Sequence, residues 1–200
     1  MTDFKGKVVL ITGAGKGAGQ MLAEAFAEHS AIVAANDISP INVEVVVEKI
    51  NTGGGKAKAY IADVAKKVGV QALIKDIEDD FGDIDILVNH AAVEPRSPLL
   101  DMDEWDWHRT LDVNLTGAFL MIQSVGRVMR DQGGGVIINL VTVAGRDESP
   151  MRAAFHASMA GLEALSQQAA REFEPHGIRV RSVTSDTSVE TILDLCRSSS

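Results

Sequence analysis

Residues 8–29 read VVLITGAGKGAGQMLAEAFAEH. A short apolar run, Val8 to Ile11, ends in a turn with glycine at 13, 15, 17 and 19, and the turn leads directly into a stretch whose apolar residues recur at helical spacing. Glycine lets the backbone turn sharply and approach a ligand closely. The N–H groups that open a helix have no partner inside it, so they attract an anion such as a pyrophosphate. Thr12, Gly13, Gly15, Lys16, Gly17 and Gly19 are therefore candidate contacts for a dinucleotide. No Gly-Lys-Ser/Thr closes the turn, which separates it from the triphosphate-binding loop.

Outward from this unit the pattern repeats. Strands are predicted near 7–12, 31–36, 57–62, 84–89, 135–141 and 178–183, and helices near 17–29, 41–51, 66–81, 103–131 and 151–174. Runs such as Val136-Ile137-Ile138 are apolar without alternation, as expected of a sheet covered on both faces. An α/β architecture follows: a parallel, doubly wound sheet with helices on both faces. The GGG stretches at 53–55 and 133–135 fit turns into the next strand. With no linker or shift in composition, residues 1–183 are expected to form one domain, and 184–200 a tail of uncertain structure in which VETILDLC can make one or two amphipathic turns.

The chain has 200 residues, 46% hydrophobic and 24% charged, with a net charge of -9. That balance fits a soluble globular protein, and the acidity disfavours nucleic acid. No apolar run approaches a membrane span and no leader sequence is apparent, so a cytoplasmic location is expected. The single cysteine, Cys196, forms no internal disulfide, and no Cys/His spacing suggests a metal site.

The second predicted strand ends in AANDIS, which places Asp37, followed by Ile38, where an acid accepts hydrogen bonds from adenosine ribose hydroxyls. A carboxylate there repels a 2′-phosphate, favouring NAD over NADP, although Lys16 supplies an opposing cation. The alternative reading of Asp37 is a helix cap or turn residue. Asp63-Val64 closes the third strand and can meet the adenine amino group, or simply make a turn.

TGAGKGAG with Asp37, Asp63-Val64, NHAA at 89–92, DVNLTG at 112–117 and the span from TVAG at 142 to AFHASMAG at 154–161 together resemble the short-chain dehydrogenase/reductase family, over about residues 5 to 183. The resemblance implies a Rossmann-type sheet, a nicotinamide dinucleotide, and hydride transfer between an alcohol and a carbonyl. It also implies an active site of Asn, Ser, Tyr and, four residues after the Tyr, Lys. The Asn falls on Asn114 and the Ser on Thr142, but the Tyr position holds Phe155 and the Lys position Met159. Asn89 matches a strand-ending Asn, with Ala91 beside it in the cofactor set and Ala92 where Gly is usual. The C-terminus reads as shortened against the family.

In the family the phenol passes a proton to or from the substrate oxygen, while the ammonium lowers the phenol's pKa and holds the nicotinamide ribose. Phe155 has no exchangeable proton and Met159 no N–H donor. The expectation is a degenerate oxidoreductase with strongly impaired activity. The alternative is a non-catalytic dinucleotide-binding or oligomer-partner protein. Phe155 and Met159 also read as a buried i, i+4 pair. His156, about 100° around the helix from Phe155, is expected at a surface or interface. His90 is a better stand-in for the phenol, or else makes a structural hydrogen bond. Glu94, Asp147 and Glu148 sit in loops where ligands bind in such sheets, or are simply solvated. Trp105 and Trp107 lie about 200° apart on one helix, so only one can pack beneath a substrate. By resemblance, the helices 103–131 and 151–174 pair with copies in a homodimer or homotetramer; burial within one chain also explains their apolar residues.

Overall fold

In the computed structural model, which describes residues 4–142, 150–184 and 186–197, six parallel strands form one sheet. They are β1 (Val8–Thr12), β2 (Ile32–Asp37), β3 (Lys56–Ile61), β4 (Ile86–Asn89), β5 (Gly135–Val141) and β6 (Ile178–Thr184), in the spatial order β3-β2-β1-β4-β5-β6. The chain first builds outward from β1 to β3 and then resumes on the other side of β1. Register pairs Thr12 with Asn36, and Ile11 with Val88. The order therefore reverses between β1 and β4, and a crevice opens beyond their carboxyl ends.

Among the described residues seven α-helices, α1 (Gly17–Glu28), α2 (Pro40–Thr52), α3 (Lys67–Phe81), α4 (Glu104–Leu111), α5 (Ala118–Gln132), α6 (Ala153–Phe173) and α7 (Val189–Cys196), cover the two faces. Alternate strand residues feed opposite cores. Val8 and Leu10 join α3, α5 and α6 residues such as Ile77, Met121 and Leu162. Val9 and Ile11 join Leu22 and Phe26 of α1 and Val43 of α2. This two-sided burial explains why the strands read as unbroken apolar runs.

The helix predicted over 103–131 is interrupted. Between α4 and α5, Asp112–Gly117 forms a π-helical turn that keeps helical dihedrals at its flanks. The turn carries Asn114, whose side chain is drawn into tertiary hydrogen bonds, a common reason for such a bulge. The helix predicted from 151 begins instead at Ala153, because Met151 holds a positive φ of 66°.

The segment after β6 is ordered as α7, capped by Ser188, whose hydroxyl accepts from Thr191 N at 3.2 Å. Its Ile192, Leu193 and Cys196 enter the core shared with α1. Arg179 of β6 donates to Leu195 O at 3.3 Å and Arg197 O at 2.8 Å. Burial pushes the Cys196 thiol up to about 12, with Arg179 opposing, so the group is a packing element rather than a nucleophile. No described helix is long and apolar enough to cross a membrane.

Candidate functional site

The glycine turn is held to the neighbouring strand by Thr12. Its buried hydroxyl oxygen accepts from His90 N and Ala91 N, both at 3.1 Å, which fixes the end of β1 against the loop after β4. Gly13 has φ +65°, and a Cβ there would stand 2.9 Å from Ala91 Cα. At Gly19 a Cβ would lie 2.3 Å from Gly13 O. Both positions are closed to larger residues by backbone approach. The helix α1 opens after Lys16 with no side-chain acceptor over its first N–H groups, so its positive end is uncapped toward the turn.

Asp37 ends β2 and is buried. Its Oδ2 accepts from Gly15 N and its Oδ1 from Ser39 N, each at 2.9 Å. The two sequence readings of Asp37 meet here: it organises the turn into α2, and it also lines a cleft of about 200 Å³. Of the residues expected to hold a cofactor, Gly13, Lys16, Asp37, Ile38, Asp63, Val64 and Ala91 line this cleft. Thr12, Gly15, Gly17, Gly19 and Asn89 are not among its lining residues. Asp63 folds back on Ala65 N at 3.0 Å, and Arg109 Nη1 lies 3.8 Å from its Oδ2. Arg109, Asn36, Ser39 and Asn42 line the cleft as well and were not singled out from sequence.

His90 packs on the turn, with Nδ1 3.1 Å from Gly13 O. Burial holds its pKa below the ordinary range, opposed by that hydrogen bond and by Asp37. The geometry favours the structural hydrogen bond of the two sequence readings. Asn89 is likewise a stitch: its Nδ2 donates to Asn139 Oδ1 at 2.8 Å, and Asn139 Nδ2 donates to Ser166 Oγ at 2.8 Å, joining β4, β5 and α6.

At the other end of the cleft, Asn114 grips the loop after β4. Its Oδ1 accepts from Val93 N at 2.8 Å, and its Nδ2 donates to Val93 O and Ser158 Oγ, both at 3.0 Å. Ser158 donates in turn to Phe155 O at 2.7 Å. Thr142 stands just past β5, half-buried. Phe155 and Met159 are buried in the same apolar cluster as Val113, Val141 and Leu162. Thus Asn114 and the helix carrying Phe155 and Met159 are brought together beside Val93, which lines the cleft.

One charged group at this end escaped the sequence reading. The Arg152 guanidinium lies over the Phe155 ring, 4.5 Å from its centroid, and its Nη2 is 2.7 Å from Glu94 Oε2. Glu94 also accepts from Arg96 Nε at 2.8 Å, so it is paired rather than merely solvated. The spacing of Arg152 and Phe155, three apart at a helix start, was the available signal. His156 is half-buried, its ring 6.0 Å from that of Phe155. Trp105 is exposed and Trp107 half-buried, and neither lines the cleft. Val143 to Gly145, Asp147 and Glu148 lie outside the described residues.

A model of the short chain dehydrogenase family matches residues 7–192. An uncharacterized oxidoreductase of Thermotoga maritima is 40% identical over 185 residues, 92% of this chain and 73% of that protein. Among solved structures, an NAD+-bound xylitol dehydrogenase superposes with a TM-score of 0.87 at 32% identity, over 96% of this chain and 76% of the other. A metagenomic short-chain oxidoreductase in complex with NADP superposes with a TM-score of 0.92 at 26% identity, over 98% and 93%.

Proposed function

The chain belongs to the short-chain dehydrogenase family, whose members bind a nicotinamide dinucleotide, and from that premise we propose that it is an oxidoreductase of the NAD type whose proton relay is missing. The observation that carries the reading is the cleft joining the glycine turn to Asp37 and Asp63 at one end and to Val93 at the other. The residues present fit a dinucleotide. The uncapped start of α1 suits a pyrophosphate, the Asp37 carboxylate suits ribose hydroxyls, and Gly13 leaves backbone where a side chain would stand. Asp37 supports NAD over NADP, against the cations of Lys16 and Arg109 on the same cleft.

When bound, the nicotinamide supplies or accepts the hydride. The protein's part is to orient the substrate and handle its proton. Asn114 fixes the Val93 loop, and Thr142 offers a hydroxyl at the end of β5. Phe155 and Met159 contribute only packing. General acid–base help is worth about 10²–10⁴-fold, so turnover between an alcohol and a carbonyl is expected to be weak.

Fluorescence titration with NADH and NADPH tests the cofactor, and a panel of carbonyls and alcohols tests turnover. Absence of dinucleotide binding would overturn the proposal. The apolar faces at 155 and 159 also favour a second reading, a dinucleotide-binding subunit without a reaction of its own, which any turnover by the wild-type chain rules out. We further propose that α5 and α6 face a second copy. Between them runs a groove of about 460 Å³ lined by residues such as Phe119, Ile122, Leu165 and Phe173, and sedimentation of the wild type against Phe119→Glu tests it. A cytoplasmic setting fits the single buried cysteine, and cell fractionation tests that.

A further inference from the structure

Two charged groups on the cleft wall face each other without meeting. Arg109, in the last turn of α4, places Nη1 3.8 Å from Oδ2 of Asp63. That separation makes an ion pair but is too long for a hydrogen bond. The carboxylate's hydrogen bond from Ala65 N, at 3.0 Å, goes to Oδ1. Among the described residues no donor comes within hydrogen-bond distance of Asp63 Oδ2, and no acceptor within that distance of the Arg109 guanidinium. Both residues line the cleft, with 30% of the arginine side chain and 25% of the aspartate side chain open to solvent. A partly solvated pair at this distance adds little to stability, so holding the fold together is a poor account of it. The two are nevertheless set in place from behind. Asp63 sits in a tight turn closed by its own Oδ1 and by Lys66 N, which donates to Asp63 O at 3.0 Å. The π turn that follows α4 packs on that turn through Gly117, where a Cβ would stand 3.0 Å from Val64 Cγ2 and 3.3 Å from Val64 O. Val64 and Val113, one from each segment, join the same apolar core and line the same cleft.

A donor and an acceptor held side by side, both unused, match a ligand edge that carries the same pair in reverse. We infer that Arg109 reads the adenine edge formed by N1 and the 6-amino group, its guanidinium donating to N1 while Asp63 Oδ2 accepts from the amino group. This rests on the reading that the cleft holds a nicotinamide dinucleotide, and it adds a residue that selects the base. A guanidinium has N–H donors and no acceptor, and an ionised carboxylate has acceptors and no donor. A base with a carbonyl at position 6 and a hydrogen on N1 therefore meets a like group on each side. The assignment also takes Arg109 away from any 2′-phosphate, leaving Lys16 to oppose Asp37 on the cleft.

The test uses the full chain and its Arg109→Met and Arg109→Lys variants. Each is titrated by calorimetry with NAD+, NADP+ and etheno-NAD+, whose added bridge spans N1 and the 6-amino nitrogen and blocks that edge. Wild type should bind NAD+ about tenfold or more tighter than the etheno form, as loss of a charge-assisted hydrogen bond implies. Arg109→Met should weaken NAD+ binding about tenfold, the low end for such a bond because the side chain is partly solvated. The same variant should shift the etheno form by less than about twofold, since the contact is already gone there. Unchanged NAD+ affinity in Arg109→Met overturns the proposal, and so do equal losses on NAD+ and the etheno form, which a merely structural role would give. A loss greater on NADP+ than on NAD+ places Arg109 at the phosphate and overturns it as well, as does a wild type that binds the etheno form as tightly as NAD+. In each of these cases NAD+ binding by the wild type leaves the cofactor reading standing, whereas a wild type that binds neither NAD+ nor NADP+ overturns both. Should Arg109→Met fail to fold, Arg109→Lys decides: lysine keeps a cation without the planar fork, so a loss on NAD+ that the etheno form does not share supports the assignment, and equal losses sink it.

Discussion

Replacing Asp37 by Asn separates two roles that one carboxylate fills together. Its two oxygens accept from Gly15 N and Ser39 N, each at 2.9 Å. An amide turns one of these acceptors into a donor that faces an N–H, and a buried polar group left unpaired costs about 1–3 kcal/mol. The urea unfolding free energy should fall by that amount. The second role is electrostatic. A ribose hydrogen-bonded to Asp37 would bring a 2′-phosphate to about 4 Å, where each pair of like charges repels by about 1 kcal/mol in bulk water and about 4 kcal/mol at an effective dielectric of about 20. Lys16 and Ile38 on the cleft's rim are exposed, so the aqueous figure is the safer floor. That is about fivefold in affinity. Paired NADH and NADPH titrations of wild type and Asp37→Asn should therefore show the preference for NADH narrowing by about fivefold or more. A variant that loses stability while its NADH:NADPH ratio stays put would assign Asp37 to the turn alone and remove the physical basis for preferring NAD.

Three further outcomes follow from the same geometry. The Phe155→Tyr, Met159→Lys pair should raise turnover on the carbonyl panel about 10²–10⁴-fold while lowering the thermal midpoint, because position 159 is 4% exposed and a lysine there buries its charge; a double variant no faster than wild type would mean the pocket differs in more than its relay. Burial depresses the pKa of His90 below 6.5, so the unfolded chain takes up that proton first as pH falls. The stability this group contributes is complete above pH 6.5 and is lost between there and its lower folded value. Thermal midpoints should then drop more steeply from pH 7 to pH 5 in wild type than in His90→Gln, and parallel slopes would refute the assignment. Gly17→Ala meets open space and should cost only the left-handed strain of about 1–2 kcal/mol, whereas Gly19→Ala drives a methyl to 2.3 Å from Gly13 O and should cost distinctly more in urea unfolding; equal losses would contradict the turn's geometry.

What was legible in the sequence was local. Val8 to Ile11 read as a strand covered on both sides because each residue has a core to enter, and the residues do sort alternately into two. The glycine turn and Asp37 lie in one βαβ segment, so short covalent spacing is enough to bring Gly15 N onto the carboxylate. The π turn at Asp112–Gly117 did not show, because its apolar spacing matches an ordinary helix and its register answers to Asn114's bonds with Val93 and Ser158, which are distant in sequence. The tail's amphipathic turns were visible, but their berth against α1 was not, for the same reason.

The reaction end of the cleft carries this contrast furthest. By the resemblance Phe155 and Met159 stand at the Tyr and Lys positions; both pack in the apolar cluster, and Ser158 ties their helix to Asn114. The hydrogen bonds that shape the dinucleotide end run among Thr12, Gly15, Asp37, His90 and Ala91, and none of them passes through 155 or 159. The chemistry of residues 155 and 159 therefore bears on neither the turn nor the carboxylate. What sequence could not supply is the polar neighbourhood that remains. Arg152 meets Glu94 across 58 residues of chain, and only the closing of the fold brings a guanidinium onto the Phe155 ring.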